Sequence, residues 1–255
     1  MSMKPELRVF RNTEELSRHA SELFVERAAQ SVRKRGQFLV ALNGGSTPAR
    51  SFQLLASEYR DQVDWSKTHI FWGDERLVPP DNSESSFGQA STLFLQHVPI
   101  PDTNIHRIHA ELEPEDSANQ YARILKQFAA PMLEFPRFDL VYLGMGEDGH
   151  TASLFPGSPS DVTAPVMAVT AHYQDRPARR VTLTPVVFNQ ARLIAFMAAG
   201  EKKANTLSEV LSGRYQPELY PAQRIEPKDG KVIWLVDEDA ASKLPTEFVR
   251  RFCEG

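Results

Sequence analysis

The segment Gly144-Met145-Gly146-Glu147-Asp148-Gly149-His150-Thr151 places a carboxylate and an imidazole two residues apart within a run holding three glycines. Imidazole is the side chain whose ordinary pKa lies nearest neutrality, so it can take up and return a proton at physiological pH. Glycine lacks the Cβ that closes the left-handed backbone region, so this run can turn tightly and approach a ligand closely. A lone histidine is more often a buried group satisfied by a carbonyl. Inside this glycine-rich loop, with Asp148 beside it, His150 reads as half of an acid–base pair.

Three further segments carry suggestive chemistry. Asn43-Gly44-Gly45-Ser46-Thr47-Pro48 joins an apolar run to a helix-like stretch. Its amides and hydroxyls would lie at a helix N-terminus, where free N–H groups and the dipole favour phosphate. An ordinary glycine turn followed by a Ser/Thr cap accounts for the same residues. Gly73-Asp74-Glu75-Arg76 follows a second apolar run. Arg76 there is either an exposed ion pair or a fork-shaped ligand for phosphate or carboxylate. Gly200-Glu201-Lys202-Lys203 follows a third, and Lys203 in a first helical turn is unfavourable for the dipole, which hints at a task.

Other chemistries fit less well. Gly144-x-Gly146-x-x-Gly149 satisfies the dinucleotide pattern, but Pro156, Gly157 and Pro159 soon break any helix, and no acid ends the next strand. Ser46 with His150 suggests a serine hydrolase, yet the nucleophile elbow needs glycine where Pro48 stands. Asp74, Glu75, Asp148 and His150, or His106 with His109, lack the spacing of a zinc site, so no metal is expected.

These residues must be held by a scaffold, and the chain has one to offer. Strand-like Phe38–Leu42, His69–Trp72, Phe138–Leu143, Val166–Val169, Arg180–Leu183, Leu193–Met197 and Val232–Val236 alternate with helix-like segments. The helices are expected over about 13–35, from Thr47 as cap with Pro48 behind it to about Tyr59, over 114–128, briefly after Thr184-Pro185, and over 201–211. Alternation with continuous apolar strands predicts an α/β fold: a single Rossmann-like domain over 1–255, its mostly parallel sheet covered by helices on both faces. In such a sheet, ligands sit outside the carboxyl ends of the strands, so all four segments should meet at one edge.

The bulk properties agree with a small-molecule enzyme. The 255 residues are 41% apolar and 24% charged with net charge −4, which argues against nucleic acid or an anionic membrane as partner. The single cysteine, Cys253, excludes an internal disulfide. Met1 to Glu6 has no apolar signal core, and the run near Leu193 to Ala199 is too short to span a bilayer, so a cytoplasmic location is expected. Protein partners are not legible.

Taken together, the motifs resemble the 6-phosphogluconolactonase family. The resemblance rests on Asn43 to Pro48, Trp72 to Arg76, Gly144 to Pro156, Arg180 to Thr184, Gly200 to Ala204, Pro221-Ala222-Gln223 and Trp234 to Asp237, in the family's order. Glucosamine-6-phosphate deaminases share the Asp-Gly-His core, but here it continues as Thr151-Ala152-Ser153-Leu154-Phe155-Pro156, the lactonase form. Ser85-Ser86-Phe87 departs from the usual Ser-Asn before an aromatic, which leaves the part played by Ser86 open. The resemblance implies hydrolysis of 6-phospho-D-glucono-1,5-lactone in the oxidative pentose phosphate pathway without metal or organic cofactor. It implies His150 as general base and Asp148 as its orienting partner. Gly44, Gly45, Ser46, Thr47, Arg76 and Lys203 would hold the phosphate, Arg180 would touch substrate, and Asp74 has an open role. The oxyanion donor is not legible in the sequence; a backbone N–H between Gly146 and His150 is one candidate. A deaminase or isomerase of a sugar phosphate, or a non-catalytic sugar-phosphate sensor, are the alternatives; neither terminus offers the sensor an output arm.

Overall fold

The computed structural model describes residues 6–246 together with 248 and 249; Cys253 and the first five residues lie outside them. Ten strands are present among these: β1 (Glu6–Phe10), β2 (Phe38–Leu42), β3 (Thr68–Trp72), β4 (Asp74–Arg76), β5 (Ile105–His106), β6 (Leu140–Gly144), β7 (Val166–Thr170), β8 (Arg179–Leu183), β9 (Leu193–Ala198) and β10 (Lys231–Asp237). Seven of them form one sheet in the order β1-β10-β9-β6-β2-β3-β5, with every neighbouring pair parallel. All five residues of β2 and all six of β9 are buried, so the middle of the sheet is covered on both faces.

The described residues include the helices α1 (Thr13–Arg35), α2 (Ser46–Ala56), α3 (Ser86–Leu93), α4 (Pro114–Gln127), α5 (Pro185–Phe188), α6 (Ala204–Ser212) and α7 (Glu238–Ala241). Their ends follow local chemistry. The Asn12 side chain accepts from the Glu15 N–H and starts α1, and Gly36 ends it at φ 78°. Pro114 stands in the first turn of α4, where its missing N–H costs nothing.

Several expectations needed correction. The N-cap of α2 is Gly45, not Thr47, and the helix ends at Ala56 rather than near Tyr59. Pro48 is therefore the third helical residue, still within the turn whose N–H groups have no helical partner. Strand β6 begins at Leu140, because the Asp139 carboxylate turns back to accept from the Leu39 N–H at 3.0 Å. Residues 201–203 form a 3₁₀ turn before α6. Strands β7 and β8 do not join the parallel sheet. They pair antiparallel with β4 in a second, three-stranded sheet of order β4-β8-β7. The segment after β3 is thus not a loop: a single residue, Gly73, carries the chain from one sheet into the other.

Val181 and Leu183 of β8 belong to the same hydrophobic cluster as the parallel strands, so one core underlies both sheets. Among the described residues no helix is long and apolar enough to cross a membrane, and no group of three or more His, Cys, Asp or Glu could hold a metal ion.

Candidate active site

Because β2, β3, β6 and β9 run in one direction, the segments that follow them emerge at the same edge. There they line one cleft of about 570 Å³, a size suited to a small metabolite. Gly44, Gly45, Ser46, Thr47, Asp74, Arg76, His150, Arg180 and Lys203 all face it. Asp148 does not. It sits behind His150 and borders a second cavity, between residues 155–159 and β7.

The His150 ring Nδ1 lies 2.6 Å from Asp148 Oδ1. An ionised carboxylate only accepts, so Nδ1 carries the proton and Nε2 keeps the lone pair. Burial pushes the Asp148 carboxyl up, but the hydrogen bond from His150 and its charge outweigh this, and the pKa falls below the ordinary value. The imidazole is packed between the rings of Phe155 and Tyr173, with centroids 4.4 Å and 4.6 Å away. The loop closes on itself through Gly146 N–H to His150 O, Gly149 N–H to Gly146 O and Thr151 Oγ1 to Gly144 O. At Gly146 a Cβ would lie 2.1 Å from His150 Nδ1 and 2.5 Å from Asp148 Oδ1. Only glycine leaves room for the pair.

Other groups lining the cleft favour an anion. Gly45, at φ 117°, gives its N–H to Gln89, and no side chain caps α2, so the first turn presents its backbone amides at the cleft. Arg76 is braced through the Glu84 carbonyl at 2.8 Å, while its buried Nε has no partner. Arg180 is 2% exposed, lies 5.2 Å over the Phe155 ring, and also has a buried nitrogen without a partner. Burial lowers the pKa of Lys203, with Glu147 and Asp148 opposing, and it lowers that of Arg180 against the pull of Asp74. Asp74 itself accepts a hydrogen bond from Ser153 Oγ at 2.7 Å. The Gly200 turn is held by Asp237, whose carboxylate accepts the Gly200 N–H at 2.9 Å.

Ser86, whose part the sequence left open, and three residues not singled out from it complete the cleft. Ser86 starts α3 and packs where a Cβ on Gly44 would sit. Its N–H donates to Glu75 Oε1 at 2.7 Å. Tyr173, Gln174 and Arg176 come from the turn joining β7 to β8, which overhangs His150. No local signal marks that turn as part of a site; the antiparallel pairing of β8 with β4 brings it there. Lining the cleft are five cations (Arg76, Arg176, Arg180, Lys202, Lys203) against three carboxylates (Asp74, Glu147, Glu201), a local excess of positive charge in a chain of net charge −4.

A parallel α/β sheet with a histidine–aspartate pair and an anion cradle at its carboxyl edge defines a class of small-molecule enzyme. Residues 11–234 match the family model described as glucosamine-6-phosphate isomerases/6-phosphogluconolactonase, and the chain belongs to that family. It is 37% identical over 244 residues to a 6-phosphogluconolactonase of Synechocystis sp., covering 95% of this chain and 99% of that protein. The solved structure of 6-phosphogluconolactonase from Trypanosoma brucei superposes with a TM-score of 0.81 at 30% identity, covering 96% of this chain and all of the other. A monomeric glucosamine-6-phosphate deaminase reaches the same TM-score at 19% identity over 94% of this chain, a likeness of fold.

Proposed function

We propose that this chain is a cytoplasmic 6-phosphogluconolactonase. It hydrolyses 6-phospho-D-glucono-1,5-lactone to 6-phosphogluconate in the oxidative pentose phosphate pathway, with residues 1–255 acting as a single domain. The observation that carries the reading is the juxtaposition, in one cleft, of the Asp148-oriented His150 imidazole with the unpartnered guanidinium nitrogens of Arg76 and Arg180. Lactone hydrolysis needs a base to deprotonate water and a cradle that fixes a distant phosphate. The cleft is lined by both.

In the proposed reaction, His150 Nε2 takes a proton from water as it attacks the lactone carbonyl, and Asp148 stabilises the imidazolium that forms. Arg76, Lys203 and the first turn of α2 grip the phosphate and spend that binding on orienting the reacting carbonyl. Collapse of the tetrahedral intermediate breaks the ring C–O bond, and the proton passes from His150 to the leaving hydroxyl. The N–H groups of Gly146, Gly149 and His150 are engaged within the loop, so they are poor oxyanion donors. Arg180, buried beside His150's neighbour Phe155, is our candidate for that task. Asp74, which would serve as the acid of a deaminase, is tied to Ser153 and here helps to shape the cleft.

The test is lactonase activity of His150→Ala, corrected for spontaneous opening of the lactone. Loss of the base should lower kcat by on the order of 10² to 10⁴. Activity close to wild type would overturn the assignment, and release of ammonia from glucosamine 6-phosphate would favour the deaminase instead.

A further inference from the structure

The other end of the same sheet carries a second concentration of positive charge. Arg35 ends α1, Asp139 directly precedes β6, and Arg192 directly precedes β9. With Arg137, Leu39 and the end of α4, they border a cavity of about 330 Å³. Asp139 is 4% exposed and is the only carboxylate among the residues lining it. One of its oxygens is shared by Arg35 at 2.6 Å and Arg192 at 3.2 Å, while the other accepts the Leu39 N–H. Arg137 lies outside that clamp. Its side chain reaches the Asp229 carbonyl at 3.2 Å, and its buried Nε has no partner.

A purely structural clamp explains part of this. Asp139 fastens β2 to the start of β6, and Arg35 sits favourably at a helix C-terminus. It does not explain why a third guanidinium group, that of Arg137, borders the same cavity with no carboxylate of its own among the residues lining it. Burial, and then the charges of Arg35 and Arg137, hold the Arg192 pKa down; Asp139 opposes them only in part. A dianion seated among the three would remove that repulsion and use the idle N–H of Arg137. Guanidinium forks match the oxygens of a phosphoryl group, and the cavity is large enough for a small metabolite.

We infer that Arg35, Arg137 and Arg192 form a second anion site, distinct from the catalytic cleft, for a small molecule bearing a phosphoryl group. The inference does not depend on the reaction proposed above. It does connect the two ends of the molecule: β2, β6 and β9 begin at this cavity and end at the cleft.

The probe is inorganic pyrophosphate, titrated calorimetrically into the full chain. The wild type should bind two equivalents. Arg76→Gln should remove the cleft site and leave the second, whereas Arg137→Gln should weaken the second at least tenfold and leave the first. Arg192→Gln provides an independent disruption of the second site, and circular dichroism confirms that each variant is folded. The absence of any equivalent that persists in Arg76→Gln and is weakened in Arg137→Gln overturns the inference. So does a second equivalent that survives both Arg137→Gln and Arg192→Gln.

Discussion

Asp148 Oδ1 accepts from His150 twice, from the ring Nδ1–H at 2.6 Å and from the residue's own backbone N–H at 3.1 Å. One oxygen thus fixes both the ring's tautomer and the backbone that carries it. Asp148→Asn keeps the shape but removes the charge that stabilises an imidazolium, and it presents a weaker acceptor to Nδ1. The expected outcome in steady-state kinetics is a fall in kcat of about 10²-fold with KM nearly unchanged, the pattern of a group that acts in the transition state.

Gly146→Ala tests the same pair from the backbone side. The added methyl would overlap His150 Nδ1 and Asp148 Oδ1, so one side chain must swing away. Because the nearest atoms it meets belong to this pair, kcat should drop by at least about 10-fold while the thermal midpoint shifts by only a few degrees. A variant with wild-type kcat would show that the 2.6 Å contact is dispensable.

Arg76→Ala should act on binding. A charge-assisted hydrogen bond contributes about 1.5–3 kcal/mol, so KM for the phosphorylated lactone should rise by roughly 10- to 100-fold. Adding guanidinium ion to the assay should restore part of the loss if the missing group is the phosphate ligand.

A separate prediction concerns acid stability. His106 Nε2 lies 3.2 Å from His69 Nδ1, among the rings of Phe71 and Phe128. Burial, followed by the charge of His69, pushes the His106 pKa down to about 4. The fold therefore favours the neutral ring. That stability is complete above the unfolded value of about 6.5 and is lost as pH falls from there towards 4. His106→Phe retains an aromatic ring that cannot charge. Its thermal midpoint should fall less than that of the wild type between pH 7 and pH 5.

How far the sequence reveals the molecule depends on what holds each element. Phe38–Leu42 and Leu193–Ala198 are buried on both faces, so they read as continuous apolar runs. Asp74–Arg76 is invisible as a strand because its residues are all charged. Glu75 is nonetheless 1% exposed, since the N–H groups of Arg76, Ser86 and Phe87 and the Ser85 hydroxyl satisfy its carboxylate. Burial still raises its pKa. The chemistry-bearing motifs were legible because each follows a strand of the parallel sheet. Tyr173 and Arg176 were not, because their place over His150 is set by a pairing between residues about a hundred positions apart, Asp74 with Thr182.

The strand order also governs when the molecule can exist. Strand β1 is held in the sheet by β10 alone, and the β6 edge is covered by β9. During synthesis, Glu6–Phe10 precedes the other described strands and must wait for Lys231–Asp237, the last of them in chain order, before it has a sheet partner. Asp237 is also the residue that fixes the Gly200 turn beside Lys203. A nascent chain short of that point has an open apolar sheet edge and an unfinished cleft. It is then exposed to aggregation and to proteases, and protection should arrive abruptly once the final strand docks.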